Sequence, residues 1–242
     1  MSFKTRLDEH ALIIGDTQTG KTTSAAALAQ EQNKHGYISI VVNTKNDRMF
    51  YDIPPFGKGV AKYINTSIDQ FIYYLNDYRT DGIIEIRPQL IKGKTPIAQI
   101  EPYLEELINF KKTDQEFPTA IFVDELHRLQ SKMSISTMLQ NLWTMGKGLN
   151  LFACGMSQRN SHISNDIWTQ SEIYFLHKTK PRDLKFMYDQ RYLAIPQTWL
   201  IPLNNPESEY PWKTPKDIHK LFFQAPYTNG LVELPFKNKP PF

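Results

Sequence analysis

Residues 15–22 have the sequence Gly-Asp-Thr-Gln-Thr-Gly-Lys-Thr, and they constrain the fold more than any other part of the chain. They fit the pattern G-x-x-x-x-G-K-[ST] of a phosphate-binding loop, in which glycines let the backbone curl until its N–H groups face phosphate oxygens. An apolar run at residues 11–14 precedes the loop, and an alanine-rich stretch follows it. This order predicts a strand, a loop and a helix whose N-terminus favours anions.

The loop also predicts which residues bind a nucleotide. We expect Lys21 to reach the β- and γ-phosphates of ATP, and the Thr22 hydroxyl to ligate Mg²⁺. The predicted nucleotide-binding residues are Gly15, Asp16, Thr17, Gln18, Thr19, Gly20, Lys21, Thr22 and Thr23.

Composition narrows the class of protein further. The chain has 242 residues, 40% of them hydrophobic, which suits one domain of ordinary size with an appendage. The single cysteine excludes a disulfide framework and favours a reducing cytosol. We find no signal-peptide core and no apolar run near 18 residues, so no membrane span is expected. The net charge of +3 permits a nucleic-acid partner but does not argue for one.

Short β-branched runs alternate with helical stretches, a pattern typical of an α/β fold with a mainly parallel sheet flanked by helices. Several runs are apolar on consecutive residues, as in Ala120-Ile121-Phe122-Val123, which suits strands covered on both faces. The predicted strands are residues 11–14, 37–42, 82–86, 119–123, 149–154 and 173–176. The predicted helices are residues 21–32, 68–78, 95–110, 134–145, 165–170 and 181–192.

The composition changes after about residue 194, and the five prolines between residues 196 and 215 break any long helix. Two apolar runs, at residues 221–223 and 231–234, flank a predicted turn that contains Asn229-Gly230, which indicates a β-hairpin. We therefore predict a nucleotide-binding core over residues 1–195. We expect residues 196–242 to form an extension packed on this core or at a subunit contact.

Two further segments complete a hydrolytic site. Asp124 and Glu125 directly follow the apolar run at residues 120–123, and we expect Asp124 to hold Mg²⁺ through its water shell. Glu125 is then placed to polarise a water for attack on the γ-phosphate. Gln158 follows another apolar strand, and its amide can both donate and accept, so we expect it to contact the attacking water or the γ-phosphate.

The order of these motifs resembles the FtsK/HerA superfamily of DNA-translocating ATPases over roughly residues 10–190. Ser157-Gln158-Arg159 is similar to the Thr/Ser-Gln-Arg that ends a strand in that superfamily. Residues 41–47 resemble its Asp-Pro-Lys-Gly-Asp element, with Asn43 and Thr44 in place of the Asp and Pro, and residues 172–176 and 181–185 resemble its last core strand and helix. The resemblance implies a RecA-like (ASCE) P-loop NTPase core that hydrolyses ATP and assembles as a ring, expected to be a hexamer.

The resemblance also implies a basic residue that each subunit donates to the γ-phosphate of its neighbour. The matching position is Lys147, where the superfamily usually has an arginine with its bidentate fork. Arg159, next to Gln158, and Arg128 are the alternatives.

Chain length and the absence of extra domains narrow the resemblance to the genome-packaging ATPases of tailless, membrane-containing (tectivirus-like) double-stranded DNA viruses. The implied partners are double-stranded DNA, contacted through its backbone regardless of sequence, other copies of the chain, and a capsid or vertex protein. The implied location is the host cytoplasm and a packaging vertex of the virion. The alternative is a P-loop switch or assembly factor that remodels a protein partner, and a P-loop kinase is a weaker third, since it would be expected to carry an Arg-rich lid.

Overall fold

A computed structural model of the chain describes residues 9–44, 61–64, 67–77, 83–87, 95–129, 136–191, 193–200, 205–212, 220–225 and 228–233. These residues form one nine-stranded sheet with the strand order β3-β4-β2-β5-β6-β1-β7-β8-β9. The first seven strands are parallel, and β8 and β9 are antiparallel. The strands are β1 Ala11–Ile14, β2 Ile38–Val42, β3 Ala61–Ile64, β4 Ile83–Ile86, β5 Thr119–Val123, β6 Leu151–Ser157, β7 Ile173–Leu176, β8 Lys220–Ala225 and β9 Thr228–Glu233.

The described residues include six α-helices, and the side chains that precede them explain where four of these helices begin. Ser67, Thr95, Ser136 and Ser164 each accept a hydrogen bond from the backbone N–H three residues further on, which satisfies a donor that the first turn leaves free. The helices are α1 Lys21–Lys34, α2 Ile68–Asn76, α3 Pro96–Thr113, α4 Thr137–Met145, α5 Asn165–Gln170 and α6 Pro181–Arg191.

The sheet is covered on both faces, which is why its strands are apolar on consecutive residues. Ala11 and Ile13 of β1 lie in the core that contains Ala25 of α1. Leu12 and Ile14 lie in the opposite core, to which helices α2 to α6 contribute. The predicted α/β fold, with a mainly parallel sheet and a C-terminal hairpin, is therefore confirmed.

Three details differ from the sequence prediction. Strand β3 was not predicted, because its sequence Ala-Lys-Tyr-Ile lacks a continuous apolar run. Strand β6 continues through Gly155, where an added Cβ would lie 2.7 Å from Leu126 Cδ2, so close packing and not a loop requires this glycine. Asn229 and Gly230 lie within strand β9, where they pair with β8, so their assignment to the hairpin turn was wrong.

Aromatic side chains tie the segment before the hairpin to the sheet. The ring of Trp199 lies 6.0 Å from that of Trp212 and 5.5 Å from that of Phe222 in β8. The Tyr210 hydroxyl donates a hydrogen bond to the backbone carbonyl of Thr179, just after β7. Cys154 lies within β6 and is fully buried, and burial raises the pKa of its thiol. None of the helices in the described ranges has the length and apolarity needed to cross a membrane.

Two buried histidines make the fold sensitive to acid. Burial, reinforced by the Lys147 ammonium, lowers the pKa of His10 to about 4, and burial lowers the pKa of His177 to about 3. In the unfolded chain both would titrate near their ordinary value of about 6.5, so below that pH the unfolded state binds more protons. The free energy of unfolding should therefore fall as the pH decreases from 6.5 to 5, by up to about 1.4 kcal/mol per pH unit for each histidine.

Urea denaturation at a series of pH values measures this slope. The variant His10→Phe removes one of the two groups and should flatten the dependence between pH 6.5 and 5. A slope that is unchanged in the variant would contradict the assignment of His10 as a neutral buried group.

Candidate active site

The predicted phosphate-binding loop joins the carboxyl end of β1 to helix α1. Its first residues are held by the end of β6 and by the segment that follows β7, because Gly15 N–H donates to the Ser157 carbonyl at 3.2 Å and Asp16 N–H donates to the Lys178 carbonyl at 2.8 Å. The loop then curls through two left-handed residues, Gln18 with φ 60° and Gly20 with φ 93°. The sequence prediction of strand, loop and helix matches this arrangement.

The side chain of Lys21 folds back over the loop. Its Nζ donates to the Gly15 carbonyl at 2.9 Å and to the Asp16 carbonyl at 2.7 Å. These backbone dipoles hold the ammonium within the loop, where the oxygens of a phosphate group would be stronger, charged acceptors. The loop and this ammonium together form a site for an anion.

The Asp124-Glu125 pair lies at the carboxyl end of β5. Asp124 N–H donates to the Val42 carbonyl at 3.0 Å, and its side chain is 5% exposed. Glu125 is 1% exposed and adopts φ 47°, a left-handed conformation that a non-glycine residue seldom takes. Such an unfavourable backbone conformation is typical of functional positions and here fixes the direction of a buried carboxylate.

A chain of polar contacts joins the loop to this carboxylate. Thr17 Oγ1 donates to Gln158 Oε1 at 2.9 Å, and Gln158 Nε2 donates to Glu125 Oε1. Gln158 can span this gap because β6, the strand it follows, lies between β1 and β5 in the sheet. The structure thus brings together predicted residues from three separate segments of the sequence.

His127 belongs to the same cluster and was missed by the sequence analysis. Its Nδ1 lies 3.1 Å from Glu125 Oε2 and 3.3 Å from Ser157 Oγ. Burial lowers the pKa of His127, while the charge of Glu125 acts in the opposite direction. Its position two residues after Glu125 was a weak signal, because only the turn that follows β5 brings the ring back to the carboxylate.

The oxygen atoms near the loop fit Mg²⁺ in chemical type. The Thr22 hydroxyl is in the first turn of α1 and Asp124 directly follows β5, and both offer the hard oxygen ligands that Mg²⁺ prefers. Among the described residues, no group of three or more His, Cys, Asp or Glu side chains is arranged to hold a metal. The Thr22 hydroxyl and the Asp124 carboxylate suit an ion that takes its remaining ligands from phosphate groups and water.

Lys147 lies at the opposite edge of the sheet from these residues. It precedes β6, whose seven residues span about 20 Å, and its Nζ forms an ion pair with Glu172 just before β7. Lys147 therefore does not reach the site of its own chain. The two alternatives, Arg128 and Arg159, are exposed and lie at the edge that carries Glu125 and Gln158.

Comparison with solved structures defines the class of fold. The chain is similar to the genome packaging NTPase B204 from Sulfolobus turreted icosahedral virus 2, solved with ATPγS, with a TM-score of 0.63 and 12% identity over 95% of this chain and 99% of that one. The chain is also similar to VirB4 of Thermoanaerobacter pseudethanolicus, with a TM-score of 0.66 and 11% identity over 94% of this chain and 90% of that one. For ATPases 2 and 3 of EssC from Geobacillus thermodenitrificans the TM-score is 0.55 and the identity is 13%, over 96% of this chain and 41% of that one.

The chain has the P-loop NTPase fold of these proteins, so the fold that the sequence motifs implied is confirmed. No protein-family model matches the sequence. A search of curated proteins also finds no match.

Proposed function

We propose that this chain is an ATP-driven motor that translocates double-stranded DNA, and that its role is to package a viral genome. The observation that carries the proposal is the chain of contacts from Thr17 through Gln158 to Glu125. It connects a phosphate-binding loop to a buried carboxylate, as a nucleotide hydrolase requires. The DNA substrate is suggested by the fold it shares with B204, which is described as a DNA-packaging ATPase of Sulfolobus turreted icosahedral virus.

The site's own residues supply each part of ATP hydrolysis. The loop N–H groups and Lys21 bind the phosphates, with the ammonium exchanging two carbonyl acceptors for phosphate oxygens. Thr22 and Asp124 would hold Mg²⁺, which neutralises phosphate charge when bound. Glu125 accepts a proton from water as the water oxygen bonds to the γ-phosphorus and the bond to the bridging oxygen of ADP breaks.

Gln158 is placed to report the state of the nucleotide. Its amide contacts Thr17 of the loop and Glu125, the proposed base. A γ-phosphate that competes for the amide would therefore alter both contacts. We expect this competition to release the Glu125 carboxylate for catalysis only when ATP is bound.

The motor is proposed to work as a ring of identical subunits, with six as the expected number. Lys147 of one subunit would reach the γ-phosphate bound by its neighbour, since its own site is at the other edge of the sheet. Residues 1–195 would form the ATPase core, and residues 196–242 an extension packed on this core or at a subunit contact. A capsid or vertex protein is the expected docking partner of the ring.

The proposal predicts that double-stranded DNA of any sequence increases the rate of ATP hydrolysis. Motor contacts with the DNA backbone do not depend on sequence, and they release counterions, so DNA binding should weaken steeply between 50 and 200 mM salt, by about 10³-fold or more if six phosphates are contacted. The measurement is steady-state ATP hydrolysis with duplexes of unrelated sequence across this salt range.

The Glu125→Gln variant, which should bind DNA but not hydrolyse ATP, gives the background rate for each duplex. If an assembled ring hydrolyses ATP at a rate that is indifferent to DNA, the motor proposal fails. The protein would then be a P-loop switch that acts on a protein partner.

A further inference from the structure

His177 lies directly behind the phosphate-binding loop, at the end of β7. It is 0% exposed, and its backbone N–H donates to the Ile14 carbonyl at 2.7 Å, where β1 ends and the loop begins. A Cβ added to Gly15 would lie 2.5 Å from the Cβ of His177. The loop and the histidine therefore pack against each other without space for a larger first residue.

The imidazole makes two hydrogen bonds that fix its tautomer. Its Nδ1 lies 2.8 Å from the Thr19 carbonyl oxygen, and its Nε2 lies 3.0 Å from the Ser24 hydroxyl. A carbonyl oxygen only accepts, so Nδ1 carries the proton and donates. The ring is neutral because burial depresses its pKa, so Nε2 accepts from the Ser24 hydroxyl.

The first of these bonds sets the direction of a peptide group in the loop. In a trans peptide the C=O and the following N–H point in opposite directions, so a Thr19 carbonyl directed at His177 turns the Gly20 N–H away from it. The second bond anchors the ring to the first turns of α1, through Ser24. His177 thus links the Thr19–Gly20 peptide, which precedes the helix, to Ser24 within the helix.

We propose that His177 is a positioning residue, which aims the Gly20 N–H at the polyphosphate of a bound nucleotide by holding the Thr19 carbonyl. The inference rests on the nucleotide-binding part of the proposed function and not on DNA translocation. It assigns a role in nucleotide affinity to a residue 158 positions away from the carbonyl that it holds.

Three substitutions separate the hydrogen bond from simple packing. His177→Phe keeps the buried ring and removes both hydrogen bonds, and it should raise the Kd for ATP and for ADP, with Mg²⁺ present, by about tenfold or more. His177→Asn restores a donor, because its Nδ2 can take the place of the imidazole Nδ1, and should bind within about threefold of wild type. Ser24→Ala keeps the Nδ1 bond and should also bind within about threefold.

A direct readout of the peptide comes from isotope labelling. Thr19-Gly20 is the one Thr-Gly pair among the 11 glycines of the sequence, so ¹³C-carbonyl threonine with ¹⁵N-glycine gives a single correlated signal for the Gly20 amide. On addition of ATP this amide proton should move downfield in wild type and in His177→Asn, as expected for a hydrogen bond to phosphate. It should move far less in His177→Phe.

His10→Phe is the matched control for the loss of a buried histidine. His10 is also 0% exposed and hydrogen-bonded to the backbone, but it lies at the opposite edge of the sheet. This variant should lower the melting temperature without changing the Kd for ATP. Melting temperatures measured without nucleotide separate a folding defect from a binding defect in every variant.

The inference is overturned if His177→Phe binds ATP within twofold of wild type. It is also overturned if the Gly20 amide of His177→Asn fails to respond to ATP, a result that stands even if His177→Phe does not fold. A wild-type chain that binds no ATP removes both this inference and the proposed function. A chain that binds ATP but shows no DNA-stimulated hydrolysis removes the motor alone and leaves the role of His177 standing.

Discussion

The variant Glu125→Gln is expected to bind ATP as well as wild type and to hydrolyse it about 10²–10⁴-fold more slowly, the usual cost of losing a general base. Glutamine has the same shape, and its amide oxygen still accepts from Gln158, so the contacts between the loop and β5 persist. Only the capacity to take a proton from water is lost. Equilibrium binding and single-turnover hydrolysis of ATP measure the two effects separately.

Two other variants serve as comparisons for Glu125→Gln. Lys21→Ala should weaken ATP binding itself, because it removes the ammonium held at the loop. Glu85→Gln changes another buried carboxylate at the same sheet edge, one that pairs with Asn43 and Arg87, and should lower stability while hydrolysis stays within a few-fold of wild type. Normal turnover in Glu125→Gln would remove Glu125 from the mechanism.

Lys147→Ala is expected to lower ATP hydrolysis by about 10³–10⁵-fold in the assembled ring, the range measured for basic fingers that stabilise the charge of the transition state. Its own site is about 20 Å away along β6, so any such effect must act on a neighbouring subunit. Mixing Lys147→Ala with Glu125→Gln should therefore restore part of the activity. At some interfaces an intact Glu125 site then meets an intact Lys147 from the next subunit.

A second mixture controls for the exchange of subunits. Glu125→Gln and Lys21→Ala both damage the site of their own subunit, so mixed rings of these two contain no complete site and should stay inactive. Full activity of Lys147→Ala on its own would transfer the role to Arg159 or Arg128. Each of these can be tested by the same mixing experiment.

The central part of the site could be predicted from the sequence because its motifs are local and its strands are parallel. A loop after β1, a carboxylate pair after β5 and Gln158 after β6 all follow carboxyl strand ends, and parallel strands place those ends at one edge. The roles of Asp124, Glu125 and Gln158 remain predictions for experiment. What the sequence did not supply was the contacts among them.

The histidines show why the remainder could not be predicted. His177 holds a carbonyl 158 residues away, and His127 meets Glu125 only through a left-handed turn, so neither contact leaves a periodic or spaced pattern. Lys147 illustrates a different case, since its position just before a predicted strand already placed it at the other edge of the sheet, whereas its ion pair with Glu172 left no pattern in the sequence. Each of these depends on long-range packing, which a short motif does not encode.

The buried state of Cys154 has a practical consequence for testing the proposed motor. It is the only cysteine in the sequence, and a buried thiol with a raised pKa does not react with maleimide reagents while the protein is folded. A cysteine introduced at Tyr73, which is 64% exposed on α2, would therefore be the one reactive thiol on each subunit. A single fluorophore could then be attached without first removing the native cysteine, and the proposed movement of individual rings along DNA could be tested with one dye per subunit.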